Sequence, residues 1–223
     1  MSNQTEASKL TSCKDVTSTS KKLIVATLLY PDFELLDVFG PLEMFGMSRF
    51  INQNLELKFV SQTGGAVASS AGPKSVCDYC FSDFETCDIL MVPGGLGSRQ
   101  EVNNKELIDW VQAQSERATY VVSVCTGAAI LAQAGVLSNH CATTNKIAFD
   151  WVQGFSASTN WHKKARWVKS GNIYTSSGVS AGTDMSLAIL EHLYGREHAE
   201  KIAHLTEYVW NHDPDNDGFA IEP

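Results

Sequence analysis

The stretch Tyr120–Leu131, YVVSVCTGAAIL, restricts the fold of this chain more than any other. Its first half is aromatic and β-branched around one small polar residue, Ser123, and reads as a strand. Its second half, with Ala128, Ala129, Ile130 and Leu131, reads as a helix closing near Gly135. Cys125 stands at the junction, with Gly127 two residues on. A residue at so sharp a turn is held out of the sheet, and the following helix aims its N-terminus at it. This is the nucleophile-elbow pattern G-x-S-x-G with Cys for Ser and Ser123 for the first Gly. The helix N-terminus offers free N–H groups and positive potential, which lower a thiol pKa and favour the thiolate. The competing reading is a core cysteine, since free Cys after an apolar run is often buried.

The rest of the chain supplies the setting. Lys22 to Tyr30 reads as a first strand buried on both faces, because its apolar run is nearly continuous. Pro31-Asp32 turns the chain into a helix over about Val38 to Arg49, with Pro41 in its first turn. Leu55 to Gln62 alternates as a second strand, and Val67 to Val76 forms a short hairpin. Asp88 to Val92 is a buried strand ending in Pro93-Gly94-Gly95-Leu96-Gly97, followed by a helix over about Asn103 to Arg117. Beyond the elbow, Thr144 caps a helix carrying Ile147, Phe149 and Trp151. Ala165–Val168 and Ile173–Ser176 pair around Ser170-Gly171-Asn172. Helices over Val179–Tyr194 and Glu197–Trp210 close the chain, separated at Gly195. Strands alternating with helices imply an α/β fold with a mostly parallel sheet covered by helices on both faces.

Composition sets the outer bounds. At 223 residues, with 43% hydrophobic and 19% charged content, the chain has enough material for one α/β domain over residues 21–210. Residues 1–20 are polar, lack an apolar signal core and read as a disordered tail; 211–223 read as a C-terminal tail. The net charge of −8 argues against a nucleic-acid or anionic-membrane partner, and no apolar run spans a bilayer. Six Cys without a signal peptide point to reduced thiols in the cytoplasm. Cys77, Cys80 and Cys87 lack a nearby fourth ligand, so ordinary thiols are expected there and no metal site. Asp213-Pro214-Asp215-Asn216-Asp217-Gly218 matches the first half of an EF-hand loop. Its twelfth position falls beyond Pro223, so it reads as an ordered acidic turn.

In parallel sheets, sites lie beyond the carboxyl ends of the strands. Asp37, Gly94-Gly95 and Cys125 each follow such an end. A carboxyl close to a thiolate cannot comfortably ionise as well, so Asp37 is expected as a neutral partner that donates to the thiolate and shuttles a proton. Its alternative role is a helix N-cap, and Glu34 is the competing carboxylate. The N–H groups of Gly94, Gly95 and Thr126 are candidates for an oxyanion hole. A cysteine protease would need a His base, but Thr126 fills the usual neighbouring position, and His140, His162, His192, His198, His204 and His212 are scattered.

Several motifs together resemble the ThiJ/PfpI superfamily, of class I glutamine amidotransferase-like, flavodoxin-like fold. They are Leu35-Leu36-Asp37-Val38-Phe39-Gly40-Pro41, Val92-Pro93-Gly94-Gly95, Ser123-Val124-Cys125-Thr126-Gly127, Ala142-Thr143-Thr144 and Gly178-Val179-Ser180-Ala181-Gly182. Cys followed by Thr, with Asp in the first motif, is most similar to the isocyanide (isonitrile) hydratase branch. The resemblance implies a homodimer and a cofactor-free reaction on a small molecule. Cys125 would attack the isocyanide carbon, Asp37 would handle protons, Thr126 would contribute its N–H and hydroxyl, and Val179 would line the pocket. Where the branch often has an aromatic after Ala-Thr-Thr, this chain has Asn145-Lys146. Glyoxalase or deglycase chemistry on methylglyoxal and a redox- or ligand-sensing module are the alternatives.

Overall fold

The computed structural model describes residues 22–52 and 54–220. The expected N-terminal tail over 1–20 lies outside the described residues. A seven-stranded sheet runs through the core in the order β10-β11-β7-β6-β1-β2-β5. Its strands are β1 (Leu23–Leu28), β2 (Leu55–Ser61), β5 (Tyr79–Cys80), β6 (Ile89–Val92), β7 (Tyr120–Ser123), β10 (Trp167–Ser170) and β11 (Ile173–Ser176). Every neighbouring pair is parallel except β10 with β11, which form the hairpin around Gly171. A second hairpin, β3 (Gly65–Ala68) with β4 (Lys74–Cys77), is antiparallel, as its Gly/Ser punctuation predicts. The short strands β8 (Cys141–Ala142) and β9 (Asn160–Trp161) pair with each other and leave no sequence signal beyond two residues apiece.

The central strands β1, β6 and β7 are buried almost throughout, with Val25, Ala26, Ile89, Leu90, Met91 and Val92 at 0% exposure. This explains their unbroken apolar runs: a parallel sheet covered by helices has no polar face to alternate with. Two helix groups flank it. α1 (Leu35–Ile51) packs on α6 (Ala181–Tyr194) and α7 (Arg196–Leu205), while α3 (Lys105–Ser115) packs on α4 (Gly127–Gln133). Between α1 and α6 the approach is so close that a Cβ on Gly40 would collide with the Thr183 hydroxyl. Two short helices, α2 (Ser98–Glu101) and α5 (Phe149–Gln153), sit in the loops at the sheet's carboxyl edge.

Several boundaries differ from expectation for local reasons. α1 starts at Leu35, a turn earlier than its apolar stripe implies. Pro41 therefore lies in its second turn, where it cannot donate to the Asp37 carbonyl one turn back. α7 ends at Leu205, not Trp210, because residues beyond Tyr208 turn to bond with α6. Thr144 does not cap a helix. α5 begins only at Phe149, and the Asn145 side chain accepts the Ala148 N–H instead. The acidic C-terminal segment is ordered as expected, but its Asp217 carboxylate serves Lys146 and Arg166 of this chain. Among the described residues no three-residue group of His, Cys, Asp or Glu is placed to hold a metal, and no helix is long and apolar enough to cross a membrane.

Candidate active site

Four adjacent strands, β11, β7, β6 and β1, deliver their carboxyl ends to one place. From β7 the chain turns directly into α4, and Cys125 at that turn has φ of +55°. A cysteine held in this left-handed region is costly, so the surroundings must fix it. They do so at both backbone atoms: the Cys125 N–H donates to the Ser177 carbonyl at 3.0 Å, and its carbonyl accepts the buried Thr144 hydroxyl at 2.7 Å. Ser177 comes from the end of β11 and Thr144 from the segment after β8, so the elbow is gripped from two sides. Val179, also at positive φ (+42°), follows Ser177 over the thiol.

Asp37 comes from the first turn of α1 and is 0% exposed. It is not an N-cap; its Oδ2 accepts the Gly94 N–H at 2.9 Å across the end of the sheet. Gly94 is required there, since a Cβ would sit 2.5 Å from the Thr126 nitrogen and 2.8 Å from Asp37 Oδ2. The other oxygen, Oδ1, has no hydrogen-bond donor among the described residues. Burial pushes the Asp37 carboxyl up to about 7; the Gly94 N–H counteracts this, the charge of Glu34 adds to it, and the Cys125 thiol beside it counteracts it again.

Opposed influences act on the thiol. Burial pushes Cys125 up to about 12, and the neighbouring Asp37 charge pushes in the same direction. The Thr126 and Val179 N–H groups and the Thr126 side chain favour the thiolate but do not outweigh desolvation. Cys125 is only 7% exposed, so desolvation works against the donors at the N-terminus of α4, and it raises the proton affinity of both members of the Cys125–Asp37 pair.

The glycines also take other roles. The Gly94 N–H is committed to Asp37, and the Gly95 N–H donates to Thr126 Oγ1 at 3.1 Å. Thr126 Oγ1 accepts from the Ser98 hydroxyl at 2.9 Å as well. Neither glycine aims a free N–H at the sulfur; the N–H groups that face it belong to Thr126 and Val179. Gly94 thus positions the carboxyl, and Gly95 positions the threonine.

Above the thiol lies a small cavity of about 210 Å³, walled by Glu34, Gly95, Arg99, Cys125, Thr126, Asn145, Ile147, Ala148 and Val179. Of the expected site residues, Gly95, Cys125, Thr126 and Val179 line it directly. Asp37 and Gly94 lie beneath it, and no histidine is in its wall. Glu34 is at the mouth, where Ser70 donates to it at 3.3 Å. Arg99, Asn145 and Ile147 carry no chemical motif of their own; their position in loops after β6 and β8 is the signal that finds them. Cys77, Cys80 and Cys87 are free thiols away from this cavity.

The model of the DJ-1/PfpI family matches residues 22–192, a span that holds every residue of this cavity. The chain belongs to the DJ-1/PfpI family. Among similar family members, the isonitrile hydratase of Pseudomonas putida is 31% identical over 187 residues, 84% of this chain and 79% of that protein. The HTH-type transcriptional regulator GbdR of Pseudomonas aeruginosa is 28% identical over 188 residues, 80% of this chain but only 48% of the regulator. Among solved structures, a ThiJ/PfpI family protein from Pseudomonas syringae superimposes with a TM-score of 0.77 at 27% identity, covering 95% of this chain and 86% of that one. Drosophila melanogaster DJ-1beta has the same fold at 20% identity, with a TM-score of 0.74 over 85% of this chain and all of its own. The DJ-1/PfpI fold thus occurs both in an enzyme and within a regulator.

Proposed function

We propose that this DJ-1/PfpI protein is a hydro-lyase that adds water to isocyanides, giving N-substituted formamides. The observation that carries the reading is a buried carboxyl near neutrality, with no hydrogen-bond donor on Oδ1 among the described residues, paired with a thiol at the floor of a small open pocket. Isocyanide carbon accepts both a nucleophile and a proton, and this pair supplies both without separating charge between two buried side chains. Asp37 takes the thiol proton as Cys125 Sγ bonds to the carbon, and that proton ends on the carbon. The product of this step is a thioimidate, R–N=CH–S–Cys125. The Thr126 and Val179 N–H groups meet the negative charge that develops on sulfur during transfer.

Water then adds to the thioimidate carbon. One of its protons passes through Asp37 to nitrogen, giving R–NH–CH(OH)–S–Cys125. The C–S bond breaks as the carbonyl forms, and the hydroxyl proton returns to the sulfur through Asp37. The sum is isocyanide plus water to formamide, with thiol and carboxyl restored. The similarity to an isonitrile hydratase supports the reading, as does the lack of a histidine in the cavity wall, which a cysteine amidase would use as its base.

The same reading includes a reducing, cytoplasmic setting and a homodimer. The first is supported by free Cys77, Cys80, Cys87, Cys125 and Cys141. The second is supported by Leu36 and Phe39 on α1, apolar yet 45% and 43% exposed.

The deciding experiment follows formamide release from an aromatic isocyanide by the wild type, Cys125→Ala and Asp37→Asn, with methylglyoxal in parallel. The reading requires turnover that Cys125→Ala abolishes and Asp37→Asn lowers by about 10²–10⁴-fold. Cys125-dependent loss of methylglyoxal without isocyanide turnover overturns it in favour of glyoxalase chemistry.

A further inference from the structure

A second cavity adjoins the one over the thiol. It shares Asn145, Ile147 and Val179 with the first, has a volume of about 330 Å³ and a mainly apolar surface. Phe219, from the segment after α7, forms part of its open rim. Lys146 also borders it, but that ammonium donates to Thr143 Oγ1 at 2.9 Å and to the Ala165 carbonyl, and faces Asp217 at 3.7 Å. The charge is thus satisfied inside the protein.

The segment that carries Phe219 is tied down along its length. The Asn211 N–H donates to Asp184 at 2.9 Å, and the Pro214 carbonyl accepts the Arg166 N–H at 2.7 Å. The Asp217 N–H donates to the Lys164 carbonyl at 3.2 Å. The buried Asp217 carboxylate lies between Lys146 Nζ at 3.7 Å and Arg166 Nη1 at 3.5 Å, and its Oδ1 accepts the Phe219 N–H at 3.1 Å. The backbone at Phe219 is fixed, yet its ring is 75% exposed and borders an apolar chamber. An aromatic ring held at such a place has apolar area to offer a ligand at little cost in ordering.

We propose that this cavity is the subsite for the substituent on the substrate nitrogen, that Phe219 offers it an aromatic face, and that Phe219 thereby sets a preference for apolar over small or polar substituents. Asp217 is the positioning residue that holds Phe219 over the chamber. The identity of the substrate rests on the isocyanide reading above; the chamber's preference for apolar groups does not.

The test compares kcat/KM for benzyl isocyanide with that for methyl isocyanide. Phe219→Ala lowers this ratio at least tenfold, chiefly through KM for the benzyl compound. Asp217→Asn lowers it at least threefold with the ring still present, whereas Val209→Ser, at an exposed site outside both cavities, leaves it unchanged. A second measurement needs no turnover: the rate of Cys125 alkylation by N-benzyl iodoacetamide relative to iodoacetamide. Phe219→Ala lowers that ratio too. Unchanged ratios in Phe219→Ala overturn the subsite, even if isocyanides are hydrated. A fall in the alkylation ratio without isocyanide turnover keeps the subsite and removes the isocyanide reading. An Asp217→Asn protein that melts earlier but keeps the wild-type ratios overturns the positioning role.

Discussion

Asp37 and Asp184 are buried to the same degree, 0% exposed, and each stands in the first turn of a helix. Their helices pack against one another. Their hydrogen bonding is opposite. Asp184 Oδ2 accepts from Arg166 Nε at 2.8 Å and from Nη2, and its Oδ1 accepts from the Tyr208 hydroxyl at 3.0 Å and the Asn211 N–H at 2.9 Å. Asp37 has the Gly94 N–H on one oxygen, the Cys125 thiol beside it and, among the described residues, no hydrogen-bond donor on the other oxygen. The difference separates a carboxylate that holds the fold from one that does chemistry. Surrounding a buried charge with donors fixes it; leaving it half-bare raises its proton affinity and makes the proton exchangeable.

Substitutions at the two positions are therefore expected to move stability in opposite directions. Asp184→Ala removes the nearer of the two carboxylates that partner buried Arg166, leaving only Asp217 at 3.5 Å, and frees the Tyr208–Asn211 turn. A loss of about 3–5 kcal/mol is expected, read from denaturant melts. Asp37→Asn goes the other way. Burial raises the Asp37 pKa from 3.8 to about 7, so the native state holds that proton more tightly than the unfolded chain does. The contribution is whole below pH 4 and is lost as pH rises through 7, the total loss amounting to up to about 4 kcal/mol. Asp37→Asn is accordingly more stable than the wild type at pH 8, with the difference shrinking towards pH 4. A destabilised Asp37→Asn at pH 8 breaks the comparison, since Asp37 would then be structural too.

The elements nearest the thiol were the most legible from sequence. Opposed propensities on either side of Cys125 mark the strand-to-helix turn, and the order of strand ends places Asp37 and Gly94 beside it. What escaped was direction and depth. The Gly94 and Gly95 N–H groups were legible as close-approach positions, but nothing local says that they point at Asp37 and Thr126 and not at a substrate. The helix N-terminus at Thr126 is visible in sequence, whereas the burial that opposes it comes from packing of distant segments. The Arg166–Asp184–Asp217 cluster joins residues 18 and 51 positions apart, and each alone looks like an ordinary surface charge. The acidic segment around Asp217 imitates half a calcium loop because ligand spacing is local, while the two cations that occupy its carboxylate are not.

A smaller effect sharpens the comparison at the elbow itself. The Thr144 hydroxyl that holds the Cys125 carbonyl is an ordinary neutral hydrogen bond, unlike the ionic contacts of Asp184, yet it restrains the strained residue. Thr144→Val keeps the volume and removes the donor, leaving a buried carbonyl bare at a cost of about 1–3 kcal/mol. If that bond also places the sulfur, kcat falls severalfold with KM nearly unchanged, and Thr144→Ser restores it. Loss of stability with kcat intact would show that the Ser177 carbonyl alone is enough to aim the thiol, and that Thr144 belongs with Asp184 among the residues that only hold the fold.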